Sequence, residues 1–385
     1  MVDRLIAGRL RTAKKSVLLL GPRQTGKSTL VHSLSPALAI DLSRESEFLV
    51  HSANPGALEE RIAATRPATV FLDEVQRLPT LLNTVQALID DAKRAGKPLK
   101  FFLTGSSARK LRRGRANLLP GRILLYELGP LTADELGDAF DVRRAMEVGT
   151  LPEPYLEPDR AAAEKLLQSY AGVYLKEEVQ AEALSRNIEG FSRFLTVAAA
   201  CSGQTLDISK LAHRARVSRT STVRYFEMLE DTLLVYRLTP FPEAPNADLV
   251  KHPKLFFFDP GVLNGLLVNF SASADRGGLL FEHLIVSQLR ATAMAHDAKL
   301  RIHTFRTRGG LEVDFVVVGK NSVWAIEAKV SENIQRRDSE TLEAAKAYLP
   351  APTRRIIVVP SGPPRRLPNG VEVMSLSKLL EEIRS

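Results

Sequence analysis

"SVLLLGPRQTGKSTLVHSL" (Ser16–Leu34) decides how the first third of the chain folds. Ser16–Leu20 is a continuous apolar run, the pattern of a strand buried on both faces of a parallel sheet. Gly21 to Ser28 then reads G-x-x-x-x-G-K-S. Its glycines let successive backbone N–H groups curl around a phosphate chain. Lys27 can reach the β- and γ-phosphates, and the Ser28 hydroxyl can ligate Mg²⁺. Leu30, Val31 and Leu34 recur at helical spacing, so the phosphates would face a helix N-terminus. The nucleotide-binding set is therefore Gly21, Pro22, Arg23, Gln24, Thr25, Gly26, Lys27, Ser28 and Thr29.

Outward from this loop, "ATVFLDEVQRLP" (Ala68–Pro79) supplies a second buried strand ending in Asp73. Open α/β sheets place their ligands beyond the carboxyl ends of their strands. An Asp there holds Mg²⁺, and the adjacent Glu74 can polarise an attacking water. A third run, "KFFLTGSS", ends in Thr104, Gly105, Ser106 and Ser107. Thr104 and Ser106 are candidate sensors of the γ-phosphate or the water, with capping of a following helix as the alternative. "ARKLRRGRANLLPGR" carries six arginines or lysines and no acid before the strand "ILLYEL". Arg122, directly after "LLPG", is a candidate transition-state arginine; the alternative is a rim charge paired at the sheet. Lys27, Glu74 and Arg122 form the catalytic set, with Ser28 and Asp73 at the metal.

The pieces "GPRQTGKST", "FLDEVQRLP", "FFLTGSSARKL" and "LLPGRILLYELGPLTADEL" resemble the AAA-type P-loop ATPases of bacteria and archaea that carry a C-terminal domain of unknown function. That resemblance covers nearly the whole chain. It implies ATP as the nucleotide, and a P-loop domain followed by a helical or winged-helix segment. It also implies a terminal domain similar to restriction endonucleases, while bringing no cellular role.

After Pro130 the sequence turns helical and charged, interrupted by the proline cluster "LPEPYLEP", which reads as a linker or exposed loop. "FSRFLTVAAACSG" reads as a helix ending at Gly203. Then come a helix over Ile208–Arg216, a turn at Val217–Ser218, a second helix from about Thr220 to Asp231, and a strand over Leu233–Leu238. This is a winged helix-turn-helix pattern. Lys210, Arg214, Arg216, Arg219 and Arg224 lie between Ile208 and Phe226 with no acid among them. Arg214, Arg219, Thr220, Thr222 and Arg224 are the candidate DNA contacts; a packing module is the alternative.

From Lys254 the pattern is a strand "KLFFF", a helix around "GLLFEHLIVSQLRATA", three strands, a polar helix, the strand "RRIIVVP" and a closing helix. This order resembles the restriction-endonuclease core. Its acidic residue…Asp…Glu-x-Lys motif falls on Glu282, Asp314, Glu327 and Lys329. If "GKNS" (Gly319–Ser322) is a hairpin loop, Val318 opposes Val323 and Asp314 opposes Glu327. Directly opposed like charges are destabilising, so the pair calls for a cation, either Mg²⁺ or the Lys329 ammonium.

Of the 385 residues, 44% are hydrophobic and 25% charged, as in ordinary globular proteins. Cys201 is the only cysteine, which excludes an internal disulfide or a cysteine-based zinc cluster. No apolar run reaches the roughly 20 residues needed to cross a bilayer. The N-terminus lacks a signal-peptide core. The expectation is a cytoplasmic protein with no membrane partner. The formal charge of +9 favours an anionic partner.

The expected fold class is α/β, with four segments: a P-loop ATPase domain over 1–130 built on a parallel sheet, a helical connector over 131–190, a winged-helix-like segment over 191–245, and a restriction-endonuclease-like α/β domain over 246–385. The leading functional expectation is an ATP- and Mg²⁺-dependent ATPase acting with DNA. The alternatives are an ATP-gated metal-dependent nuclease and a non-catalytic switch toggling a protein partner or a second copy.

Overall fold

The computed structural model describes residues 2–106, 119–174, 187–244 and 248–384, with backbone alone at 173–174. Ser107 and the basic run Arg109–Arg115 lie outside the described residues. The chain forms two compact units. One holds residues 1–129 with 231–233, the other 130–230 with 234–385.

The first unit is built on a sheet of β1 (Ser16–Leu20), β2 (Leu38–Asp41), β3 (Thr69–Asp73), β4 (Lys100–Gly105) and β5 (Ile123–Glu127), in the order β2-β3-β4-β1-β5. All four pairings are parallel. All five residues of β1 are buried. Leu18 and Leu20 enter one core with Val70, Leu72 and Leu103, while Val17 and Leu19 enter a second with Phe71 and Phe102. Strand alternation sends successive side chains to opposite faces. A run apolar at every position therefore needs helices on both sides, which the two cores supply.

In the second unit, helices Ile188–Ala200, Ile208–Ala215 and Arg219–Asp231 precede β6 (Val235–Leu238) and β7 (Lys254–Phe257). The two strands form an antiparallel ribbon, and Thr205 bridges to Lys254 on its outer side. This pairing corrects the expected boundary at residue 246, since "KLFFF" belongs with β6 and not with the terminal sheet. Backbone hydrogen bonding decided this: a strand's partner is set by which edge is open beside it, which periodicity does not encode. The proline cluster is corrected as well. Pro152–Leu156 is a short helix with Pro at its first turn, where no intrahelical N–H bond is lost. Tyr155 is buried there, and its hydroxyl donates to the Ala139 carbonyl at 2.7 Å.

The terminal sheet contains β8 (Arg301–Arg306), β9 (Glu312–Val318), β10 (Val323–Ala328), β11 (Thr353–Val359), β12 (Arg365–Arg366) and β13 (Glu372–Ser375). Its order is β12-β13-β11-β10-β9-β8. β8, β9 and β10 form an antiparallel meander, and β11 then runs parallel to β10. Helix Ala274–His296 precedes the meander, and helix Leu376–Arg384 closes the chain.

Buried polar groups tie this unit together. Asp259 caps helix Pro260–Leu267, accepting from Val262 N at 3.1 Å and Thr150 N at 2.7 Å. Burial raises its carboxyl to about 6 against those donors. Gln288 donates to the Leu131 carbonyl at 3.0 Å and accepts from Ala133 N at 2.8 Å. Asp259→Ala leaves several buried N–H groups without an acceptor, and each such loss costs about 1–3 kcal/mol. The expected result is a loss of roughly 3–5 kcal/mol, read as a lower urea midpoint for the second unit with the first unit's transition unmoved.

Candidate functional site: a phosphate loop and a separate carboxylate cluster

Parallel pairing aligns the carboxyl ends of β1, β3 and β4, which brings Gly21, Asp73 and Thr104 to one edge of the sheet. The loop itself is tightly constrained. A Cβ on Gly21 would stand 2.2 Å from the Leu128 carbonyl oxygen, so only glycine lets the chain leave β1 there. Gly26 has φ +86°, left-handed backbone that glycine adopts at no steric cost, and the helix Lys27–His32 follows it. Lys27 is buried, and its ammonium donates to the carbonyls of Gly21 at 2.9 Å and Pro22 at 2.8 Å. Thr25 is fully buried, with its hydroxyl on the Pro22 carbonyl at 2.9 Å. Pro22 is buried, Arg23, Gln24 and Ser28 are half-buried, and Thr29 is exposed.

Around the acids, Thr104 is the organising residue. Its hydroxyl donates to the Asp73 carboxylate and accepts from Glu74 N at 3.3 Å. Thr104 thus fixes both acids from the neighbouring strand. Burial raises the Glu74 carboxyl, the Lys27 ammonium partly offsetting it. Glu74 sits at φ +57°, a sparsely populated conformation for a residue with a side chain. Gln76 Nε2 donates to the Glu74 carboxylate and to Ser106 Oγ, the latter at 3.1 Å.

Two participants escaped the sequence reading. Gln76 is one; its place three residues after Asp73 in "FLDEVQ" was the available signal. Arg4 is the other. It donates to the Thr25 carbonyl at 2.6 Å and the Gly129 carbonyl at 2.9 Å, bracing the loop against the end of the sheet. Nothing local in "MVDRLI" announces that contact.

Arg122 lies elsewhere. β5 pairs with β1 so that Ile123 stands beside Ser16, which puts Arg122 at the amino-terminal edge of the sheet. Crossing β1 to its other end takes about 13 Å at 3.3 Å per residue. A bidentate pair with Asp90, 2.8 Å on each arm, holds the guanidinium there. The expectation of a transition-state arginine is therefore corrected for its own chain, because the side chain is at the wrong end of the strand. Arg122→Gln is expected to leave ATP affinity of the isolated chain unchanged, as checked by nucleotide titration.

In the second unit, Val323 opposes Val318 and Ile326 opposes Phe315, so the next step sets Glu327 beside Asp314, as the hairpin count required. Asp314 Oδ2 accepts from Ala328 N at 2.8 Å. Glu327 is buried, its Oε2 lies 3.4 Å from the Lys329 ammonium, and its Oε1 has no hydrogen-bond partner among the described residues. Lys254, on β7, pairs with Glu312 at 2.8 Å and offsets the charges of Glu282 and Asp314. Desolvation, reinforced by Asp314, pushes Glu282 to about 7 and Glu327 to about 8. Desolvation raises Asp314 too. The carboxylates feel one another. Even so, among the described residues no three His, Cys, Asp or Glu side chains converge closely enough to hold a metal ion. Glu282, Asp314, Glu327 and Lys329 share one electrostatic neighbourhood, with the Lys254 ammonium beside them. Lys254 was missed because the ribbon pairing that brings it there was not legible.

Arg214, Arg219, Thr220 and Arg224 are exposed along the two helices. Thr222 is not; it is fully buried and its hydroxyl bonds back to the Ser218 carbonyl at 3.0 Å. Helical spacing turns it to the inner face with Tyr225 and Phe226, so it is removed from the candidate contacts.

The sheet, the loop and the acids at its end define a P-loop NTPase domain of AAA type. Residues 13–137 match the family described as "AAA domain". Residues 139–273 and 277–379 match two domains of unknown function, DUF8612 and DUF4143. Among curated proteins, the uncharacterized protein Rv2008c of Mycobacterium tuberculosis is 26% identical over 333 residues, covering 84% of this chain and 73% of that protein. The uncharacterized protein MJ1544 of Methanocaldococcus jannaschii is 24% identical over 302 residues, covering 72% and 64%. Among solved structures, the chain is similar to the ORC1 protein of Aeropyrum pernix in complex with DNA, at 14% identity and TM-score 0.30, covering 68% of this chain and 89% of that one. RuvB of Thermotoga maritima gives 18% identity and TM-score 0.28, covering 62% and 87%. No helix among the described residues is long and apolar enough to cross a membrane.

Proposed function

We propose that this chain binds and hydrolyses ATP with Mg²⁺ and uses the cycle in work on DNA. The observation that carries the proposal is the meeting of Lys27, Asp73, Glu74 and Thr104 at one sheet edge beyond the phosphate loop. The donor set suits the cofactor, since the Ser28 hydroxyl and Asp73 carboxylate are hard oxygen ligands of the kind Mg²⁺ takes alongside nucleotide phosphates. When bound, Mg²⁺ would neutralise charge on the phosphate chain. Lys27 supplies a fixed positive charge at the phosphate end. Glu74 orients the attacking water and draws off its proton, its raised pKa bringing it closer to the operating pH of a general base. Thr104 and Gln76 hold the two acids in place.

The DNA-directed part rests on the helix pair with its ribbon, which we read as a winged-helix-like reader presenting Arg214, Arg219 and Arg224. The test is ATP turnover by the purified chain in Mg²⁺, with and without duplex DNA. The expected result is Mg²⁺-dependent phosphate release that DNA accelerates. The absence of turnover under both conditions would overturn the proposal. Replacing Arg214, Arg219 and Arg224 with glutamine should weaken duplex binding and make its salt dependence shallower by about one per arginine that meets a phosphate.

A further inference from the structure

A second basic feature lies in the first unit, at the edge of the sheet away from the phosphate loop. A cavity of about 630 Å³ opens there between the start of β1, the end of helix Leu81–Arg94, the start of β4 and the turn before β5. Among the described residues, Lys14, Lys15, Lys93, Lys97, Lys100 and Arg122 line it against a single acid, Asp90. We infer that this cavity is a binding site for the phosphodiester backbone of a nucleic acid, gripped without regard to base sequence. The inference goes beyond the proposed reader, which is built from other residues in the other unit.

Three observations carry it. First, the lining cations divide into structural and unspent ones. Lys100 donates to the carbonyls of Leu10 at 2.8 Å and Ala13 at 2.7 Å, tying down the segment that leads to Lys14 and Lys15. Arg122 is held by both oxygens of Asp90, so the one acid is already neutralised. Lys14, Lys15, Lys93 and Lys97 are exposed and make no ion pair among the described residues. Second, these four ammoniums come from two segments, 14–15 and 93–97, on either side of one concavity, with Ile89, Leu99 and Pro120 forming its apolar wall. Like charges gathered this way repel one another, and a strand of repeating anionic charge relieves that repulsion. Third, the chemistry selects the partner. Lysine binds phosphate as a point charge, whereas base readout favours planar, bidentate groups. An acidic protein surface would ordinarily be anchored by aromatic or free arginine side chains, and the cavity's described lining residues offer neither.

The test compares the full chain with K14Q/K15Q/K93Q/K97Q and with the charge-preserving K14R/K15R/K93R/K97R. Binding of a fluorescent single-stranded oligonucleotide is followed by anisotropy at several salt concentrations. Losing four phosphate contacts makes the log–log salt slope shallower by roughly 2.8. Between 50 and 200 mM salt the wild type should therefore lose about 50-fold more affinity than the glutamine variant, with the arginine variant behaving as wild type. ATP binding at the distant loop should not change in either variant. A wild-type salt slope in the glutamine variant overturns the inference. So does displacement of the probe by polyglutamate at charge concentrations no higher than unlabelled oligonucleotide, which would mark an acidic protein as the occupant. The Arg214, Arg219 and Arg224 variant, run in parallel, reports on the proposed reader alone, so either reading can fail without the other.

Discussion

Lys27→Ala is expected to bring ATP turnover to background and to weaken nucleotide binding, whereas Glu74→Gln is expected to abolish turnover while ATP still binds. The contrast follows from position. The Lys27 ammonium is already enclosed by the loop, donating to Gly21 and Pro22, and its charge serves bound nucleotide and transition state alike. Removing a preorganised charge at a developing anion typically costs about 10²–10³ in rate. Glu74 has no such role in holding phosphate. Losing a positioned base costs roughly 10²–10⁴ in turnover and leaves affinity intact. Phosphate release and fluorescent-nucleotide titration separate the two outcomes. Wild-type turnover in either variant would remove that residue from the site. Burial raises the Glu74 carboxyl, so the wild-type rate should fall on the acid side at a pH above the ordinary 4.5 of a glutamate.

Glu327→Gln is expected to stabilise the second unit at high pH in a metal-free buffer. Burial and Asp314 lift this carboxyl from 4.5 to about 8. That rise corresponds to a preference for the protonated form on the order of 5 kcal/mol. The folded chain therefore binds a proton that the unfolded chain releases. The resulting stability is complete below pH 4.5 and is lost as pH rises through 8, with Glu282, near 7, adding in the same direction. A neutral amide of the same shape keeps the packing and removes the ionisation cost. At pH 9 the variant should therefore melt several degrees above wild type, while at pH 5 the two should differ little. Equal melting temperatures at pH 9, or a wild type that gains stability between pH 5 and pH 9, would contradict the buried-carboxylate account.

The parts of the molecule legible from sequence are those set by local rules. "SVLLL" had to be a strand buried on two faces, and the two cores meeting at β1 are its consequence. The Asp314–Glu327 pairing was countable because a four-residue hairpin fixes the register of its own strands. "KLFFF" was read correctly as a strand but assigned to the wrong sheet, because nothing in its own residues says which edge lies open beside it. Thr222 sits in the basic stretch expected to face a groove, but the helical period that buries Tyr225 and Phe226 turns it inward too. Arg122 follows "LLPG" and precedes β5, and a parallel strand begins at the sheet edge remote from the phosphate loop.

By itself, then, the sequence determined the phosphate loop, its strand and helix, and the acids at the end of the next strand, since each depends on neighbours close in the chain. Tertiary structure alone decided which distant groups serve them: Thr104 spanning Asp73 and Glu74, Arg4 bracing Thr25, and Lys254 facing the carboxylates from another strand's ribbon. Those contacts arise from sheet order and from which edges pair. That order is fixed by the packing of whole elements against one another, which no window of sequence contains.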